Sequence, residues 1–174
     1  GNLVFEDAML GALHDPFEGF HMGITAENVA QRCSISREEQ DALAVQSQQR
    51  AAAAIANGYF KDQIVPVEIK TRKGTVVFDT DEHVRGDTTA EGLAGLKPVF
   101  KKDGTVTAGN ASGLNDGAGA VVLASGKAVA EHGLKPMARI LAWGHAGLEP
   151  ELMGLGPVNA VPIALARAGL TLDQ

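Results

Sequence analysis

The chain has 174 residues, enough for one domain or parts of two, and its 45% apolar and 21% charged residues exclude a disordered polypeptide. A net charge of -6 argues against a surface for nucleic-acid phosphates, although a local basic patch can still take a phosphorylated ligand. Cys33 is its one cysteine, so no internal disulfide can form, and neither an 18-residue apolar run nor a signal-peptide pattern is present; a cytoplasmic protein with no membrane partner is the expectation.

Residues 3–13 carry Leu3, Met9, Leu10 and Leu13 and read as a short helix or loop, stopped by Asp15-Pro16. After a loop to His21, Thr25 reads as the N-cap of a helix through about Arg32. Ser36-Arg37-Glu38-Glu39 is a capping box that opens a second helix running to Asn57, with Gly58 as the residue that ends it. Leu43, Ser47, Ala51, Ala54 and Ile55 define the expected packing face of that helix, a shallow, alanine-rich seat. Apolar residues within 63–70 and again within 75–78, either side of Lys73-Gly74, predict a strand pair with Pro66 at an edge. Residues 93–100 read as a loop or short helix. From Asp116 onward the pattern is strand (118–124), helix (126–132), strand (139–143) and helix (159–168), a βαβα order that predicts an α/β layered fold.

Residues 105–117 stand apart. Gly109, Ala111, Ser112 and Gly113 have almost no bulk, and Asn110, Ser112 and Asn115 supply short hydrogen-bonding groups. Such a stretch suits either an ordinary turn or a narrow slot in which a ligand approaches the backbone. Arg85 could meet a phosphate or a purine ring through its planar guanidinium, or could pair with Asp79, Asp81, Glu82 or Asp87. Asp79, Asp81, Glu82 and His83 form a run of hard-cation ligand types, but Val84 and Ala90 occupy the positions where a calcium-binding loop needs glycine and glutamate, so no metal is expected. Cys33 reads as a small buried residue. His145, following a predicted strand, is the histidine among His14, His132 and His145 expected near a pocket.

Several of these segments together resemble the thiolase family: residues 21–28 (His-Met-Gly-Ile-Thr-Ala-Glu-Asn), 60–66 (Phe-Lys-Asp-Gln-Ile-Val-Pro), 72–74 (Arg-Lys-Gly), 79–85, 105–117 and 153–157 (Met-Gly-Leu-Gly-Pro). The resemblance extends over the whole chain but corresponds to only the middle of a thiolase. It implies that 1–114 belong to the loop domain that covers the coenzyme, 115–136 to the last strand and helix of the N-terminal core domain, and 137–174 to the start of the C-terminal one. Leu13, His21, Met22, Arg85, Phe100, Ala108, Ala111, Ser112, Leu114 and Met153 match positions that line the coenzyme A site. Gly92 departs from the pattern, standing where several members place a ligand-contacting serine. The family's nucleophilic cysteine is expected upstream, and its Asn-Glu-Ala-Phe, Gly-His-Pro and Cys-x-Gly-Gly-Gly motifs downstream, so no catalytic residue is expected here. The implied reaction is ping-pong acyl transfer between coenzyme A thioesters, which are substrates, with no separate cofactor. A homotetrameric parent is also implied. The competing expectation is a self-contained, non-catalytic acyl-CoA-binding module.

Overall fold

Two helix signals in the sequence govern the middle of the molecule. Ser36 takes an extended backbone and its hydroxyl accepts from Glu39 N at 3.1 Å, while the Glu39 carboxylate accepts from Ser36 N at 2.8 Å. Two of the donors orphaned at a helix start are thereby satisfied, and α3 (Arg37–Ala56) follows as the capping box predicts. Asn57 caps its end and Gly58, at φ 72°, takes the left-handed turn.

The computed structural model describes residues 5–173. Before α3 come α1 (Ala8–Ala12) and α2 (Met22–Cys33); after it come β1 (Val67–Thr71), β2 (Gly74–Phe78), α4 (Ala90–Ala94), α5 (Gly126–His132) and α6 (Gly156–Ala168). Short 3-10 turns occupy Lys61–Gln63 and Pro150–Leu155. β1 and β2 form an antiparallel hairpin in the register Val67 to Phe78 and Thr71 to Gly74. Both strands are exposed along their length. Residues 3 and 4 of the first predicted segment lie outside the described residues.

Three expectations need correction. Thr25 is not an N-cap: α2 begins three residues earlier, and the Thr25 hydroxyl lies within it, donating back to Met22 O. The first strand starts at Val67, since Pro66 has no N–H to give a ladder and residues 61–63 coil instead. Residues 118–124 and 139–143 form no strand. A strand needs a neighbour for its N–H and C=O groups, and among the described residues the hairpin is the one sheet. Val121 and Val122 are left 85% and 95% exposed.

The described residues divide into two compact units, 5–25 with 114–173, and 26–113. In the first, α5 ends on Gly133 and α6 on Gly169, both left-handed. The backbone of Gly144 lies so close to α6 that a Cβ would strike Ala160 O and the Ala164 N–H. Arg167 donates to Trp143 O at 2.9 Å, adding a second tie between this segment and the helix. The second unit has a polar centre. Its buried residues are Glu27, Ala30, Asp41, Leu93, Val106 and Thr107, with each buried polar side chain hydrogen-bonded.

Candidate functional site

The 105–113 stretch is held in place by charged and amide groups from α2 and α3. Glu27, 4% exposed on α2, accepts from Thr105 N at 2.8 Å, from the Thr105 hydroxyl at 2.9 Å and from Val106 N at 2.8 Å. Burial alone would push its carboxyl pKa up. The hydrogen bonds from Val106 and Thr105 and the charge of Lys101 outweigh that and hold it below the ordinary value. Gly104 permits this contact, because a Cβ there would overlap the carboxylate.

On α3, Arg37 pairs with Asp41 at 2.7 Å and donates to Leu93 O at 2.7 Å and Leu96 O at 3.1 Å. Asp41 in turn accepts from Asn110 Nδ2 at 2.9 Å, and that nitrogen also donates to Thr105 O. Asn110 Oδ1 accepts from Thr107 N at 2.7 Å. One amide side chain thus closes the turn on itself and fastens it to a helix. The network runs from the end of α4 through Arg37, Asp41 and Asn110 to Thr105 and Glu27, with each buried member satisfied.

Glycines then bring neighbours close. A Cβ at Gly109 would sit 2.5 Å from Leu93 Cδ2 and 2.6 Å from Leu96 Cδ1. Gly109→Ala is therefore expected to destabilise the protein by about 1.5 kcal/mol through overpacking. Chemical denaturation checks this, and an unchanged midpoint would mean the two leucines move aside freely. At Gly113 a Cβ would run into the His83 ring, so the loop bearing His83 and Arg85 lies beside the turn bearing Ala111 and Ser112.

The predicted site residues divide between the two units. In 26–113, Ala108, Ala111 and Ser112 are carried by the one turn, and all three are exposed. Val99 N donates to Val106 O at 3.0 Å, which draws the segment bearing Phe100 alongside the start of that turn. Arg85 is exposed; its N–H donates to Gln48 Oε1 at 2.8 Å. Among the described residues its guanidinium makes no ion pair, so the alternative of a partner among Asp79, Asp81, Glu82 and Asp87 is not realised.

In the other unit, Met22 N donates to Leu13 O at 2.8 Å, joining two predicted residues across the loop 14–21. Asp15 closes that loop by accepting from Phe17 N. His21 Nδ1 accepts from Gly23 N at 2.9 Å, which leaves the ring proton of a neutral imidazole on Nε2, and the His14 ring meets it edge-on at 5.3 Å. Leu114 and Met153 are exposed.

A cleft of about 460 Å³ on the 26–113 unit is lined by Glu27, Ile35, Lys101 and Thr105 among others, and by none of the predicted site residues. Among the described residues no three His, Cys, Asp or Glu side chains form a group able to hold a metal ion. Cys33 is exposed, contrary to its reading as buried: it ends α2 where the chain turns through Ser34 at φ 55°. His145 is exposed.

Sequence reasoning missed Glu27, Arg37, Asp41 and Gln48. The Arg37 and Asp41 spacing of four on a helix was the available signal. It placed the helix face only in part: Ala51 and Ala54 are half-buried as expected, but Leu43 is 67% exposed and Ser47 and Ile55 are also exposed, while Asp41 is buried and Ala44, Val45, Gln48 and Ala52 are half-buried, because the polar network helps orient α3.

A sequence model described as thiolase, N-terminal domain, matches residues 1–127. The chain belongs to the thiolase family. Beta-ketothiolase BktB of Cupriavidus necator is 60% identical over 175 residues, a match that spans all of this chain and 44% of that protein. The crystal structure of the Bacillus anthracis acetyl-CoA acetyltransferase superposes with a TM-score of 0.86 at 49% identity over 99% of this chain and 44% of that one. Human mitochondrial 3-ketoacyl-CoA thiolase, solved in complex with CoA, gives 0.83 at 48% identity with the same coverage. This thiolase chain therefore spans less than half the length of the relatives it matches. No helix of its described residues is long and apolar enough to cross a membrane.

Proposed function

We propose that this chain is the coenzyme A-binding part of a thiolase that transfers an acyl group between coenzyme A thioesters, by condensation of acetyl-CoA or thiolysis of a 3-ketoacyl-CoA. What carries the reading is 60% identity along the entire chain to a protein named a beta-ketothiolase. The small-residue turn supports it. Within 26–113, Ala108, Ala111 and Ser112 admit a thin amphipathic chain against the backbone, Phe100 supplies apolar wall and Ser112 a polar contact; Leu13, His21, Met22, Leu114 and Met153 are assigned to the coenzyme by the matching thiolase motifs alone. Arg85 takes the phosphate or purine end through its cationic plane.

Residues 1–114 serve as the cover over the coenzyme, 115–136 complete one core domain and 137–174 open the next. The nucleophilic cysteine and the histidine and asparagine that manage protons and oxyanion charge are supplied by sequence beyond this chain. Coenzyme A thioesters act as substrates and no further cofactor is involved. The whole protein works as a cytoplasmic homotetramer. The exposed run around Val121 and Val122 favours this reading over a self-contained acyl-CoA-binding module, which would close its own sheet.

Calorimetric titration of this chain is expected to register binding of coenzyme A, while thiolysis of acetoacetyl-CoA stays at background. Turnover by the chain would sink the placement of the catalytic groups, and absence of binding would sink the assignment of the coenzyme site.

A further inference from the structure

We propose that Gln48 is a positioning residue for coenzyme recognition, fixing the backbone from which Arg85 projects. This rests on the reading that Arg85 meets the nucleotide end of coenzyme A. Arg85 lies in an exposed loop outside any helix or strand, yet both of its backbone polar groups are held. Gln48 Oε1, 37 residues away on α3, accepts its N–H at 2.8 Å. Thr88 donates to its C=O twice, from the hydroxyl at 2.7 Å and from the backbone N–H at 3.1 Å.

The next residue makes the docking close. A Cβ at Gly86 would sit 2.8 Å from the Ala52 Cβ, and Ala52 is one helical turn beyond Gln48 on the same face of α3. An exposed loop pinned at one residue, against a helix anchored by its own polar network, limits the directions the guanidinium can take. That lowers the ordering cost of meeting a ligand. A neutral amide serves this role better than a carboxylate, since it accepts the N–H without drawing the guanidinium onto itself.

The test compares Gln48→Met, which keeps the length and loses the acceptor, with Gln48→Glu, which keeps an acceptor oxygen. Gln48→Met is expected to speed hydrogen exchange at the Arg85 amide and to raise the Kd for coenzyme A about fivefold, leaving that for pantetheine, which lacks the nucleotide, unchanged. Gln48→Glu is expected to keep the amide protected. Unchanged exchange in Gln48→Met overturns the proposal, as does an equal loss for coenzyme A and pantetheine, which marks a general structural role. Arg85→Ala separates the two readings. If it leaves coenzyme A affinity intact, the assignment of Arg85 fails, whatever the exchange experiment says of Gln48.

Discussion

Replacing Glu27 with alanine is expected to lower the unfolding free energy by about 3 kcal/mol, because it strands the buried N–H of Val106 and the half-buried N–H and hydroxyl of Thr105 without their acceptor. A fall in the urea midpoint at unchanged slope would register it. Gln at this position keeps one acceptor oxygen and should recover part of the loss. The two variants also differ from wild type in pH response. The folded-state pKa of Glu27 lies below its ordinary value of 4.5, so its contribution is complete above the unfolded-state value and is lost as pH falls through the folded one. Wild-type stability should therefore drop on acidification below about pH 4.5, and Glu27→Gln should lack that component. Parallel acid profiles for the two proteins would show that the carboxylate is not what holds the turn.

Arg85→Ala is expected to weaken coenzyme A binding roughly thirtyfold, the loss associated with a charge-assisted hydrogen bond to phosphate, with pantetheine affinity unaltered. The wild-type affinity should fall as salt rises, and that dependence should shrink in the variant, since an exposed cation acts through a screened field. Equal weakening of coenzyme A and pantetheine would place Arg85 away from the nucleotide end. The prediction separates Arg85 from Ala111 and Ser112: enlarging either of those should hinder both ligands, since they are proposed to face the part the two share.

Parts of the fold were plain in the sequence because their causes are local. Ser36 and Glu39 are three residues apart and cap one helix between them, Gly58 stops that helix by taking a conformation other residues resist, and the hairpin turns at Arg72-Lys73, one residue before the expected Lys73-Gly74. The strands at 118–124 and 139–143 were misread for the opposite reason. A short continuous apolar run expresses a preference for a ladder, but the ladder exists only where a second strand supplies its hydrogen bonds.

The site divides in the same way. Small residues between Gly109 and Gly113 declare in the sequence that something must come close, and the matching motifs name the family. Which neighbours come close is a matter of long-range contact: Leu93 against Gly109, the His83 ring against Gly113, Gln48 on the Arg85 amide. By itself the sequence determined the caps of α3, the neighbourhood of the hairpin turn and the family, and it nominated the coenzyme residues, all of which depend on residue identity at short spacing. Tertiary structure alone decided that Glu27, Arg37, Asp41 and Asn110 form one network, and that Arg85 is free of the carboxylates around it. Those partners lie as far as 79 residues apart, and no local rule fixes which buried donor will meet which acceptor.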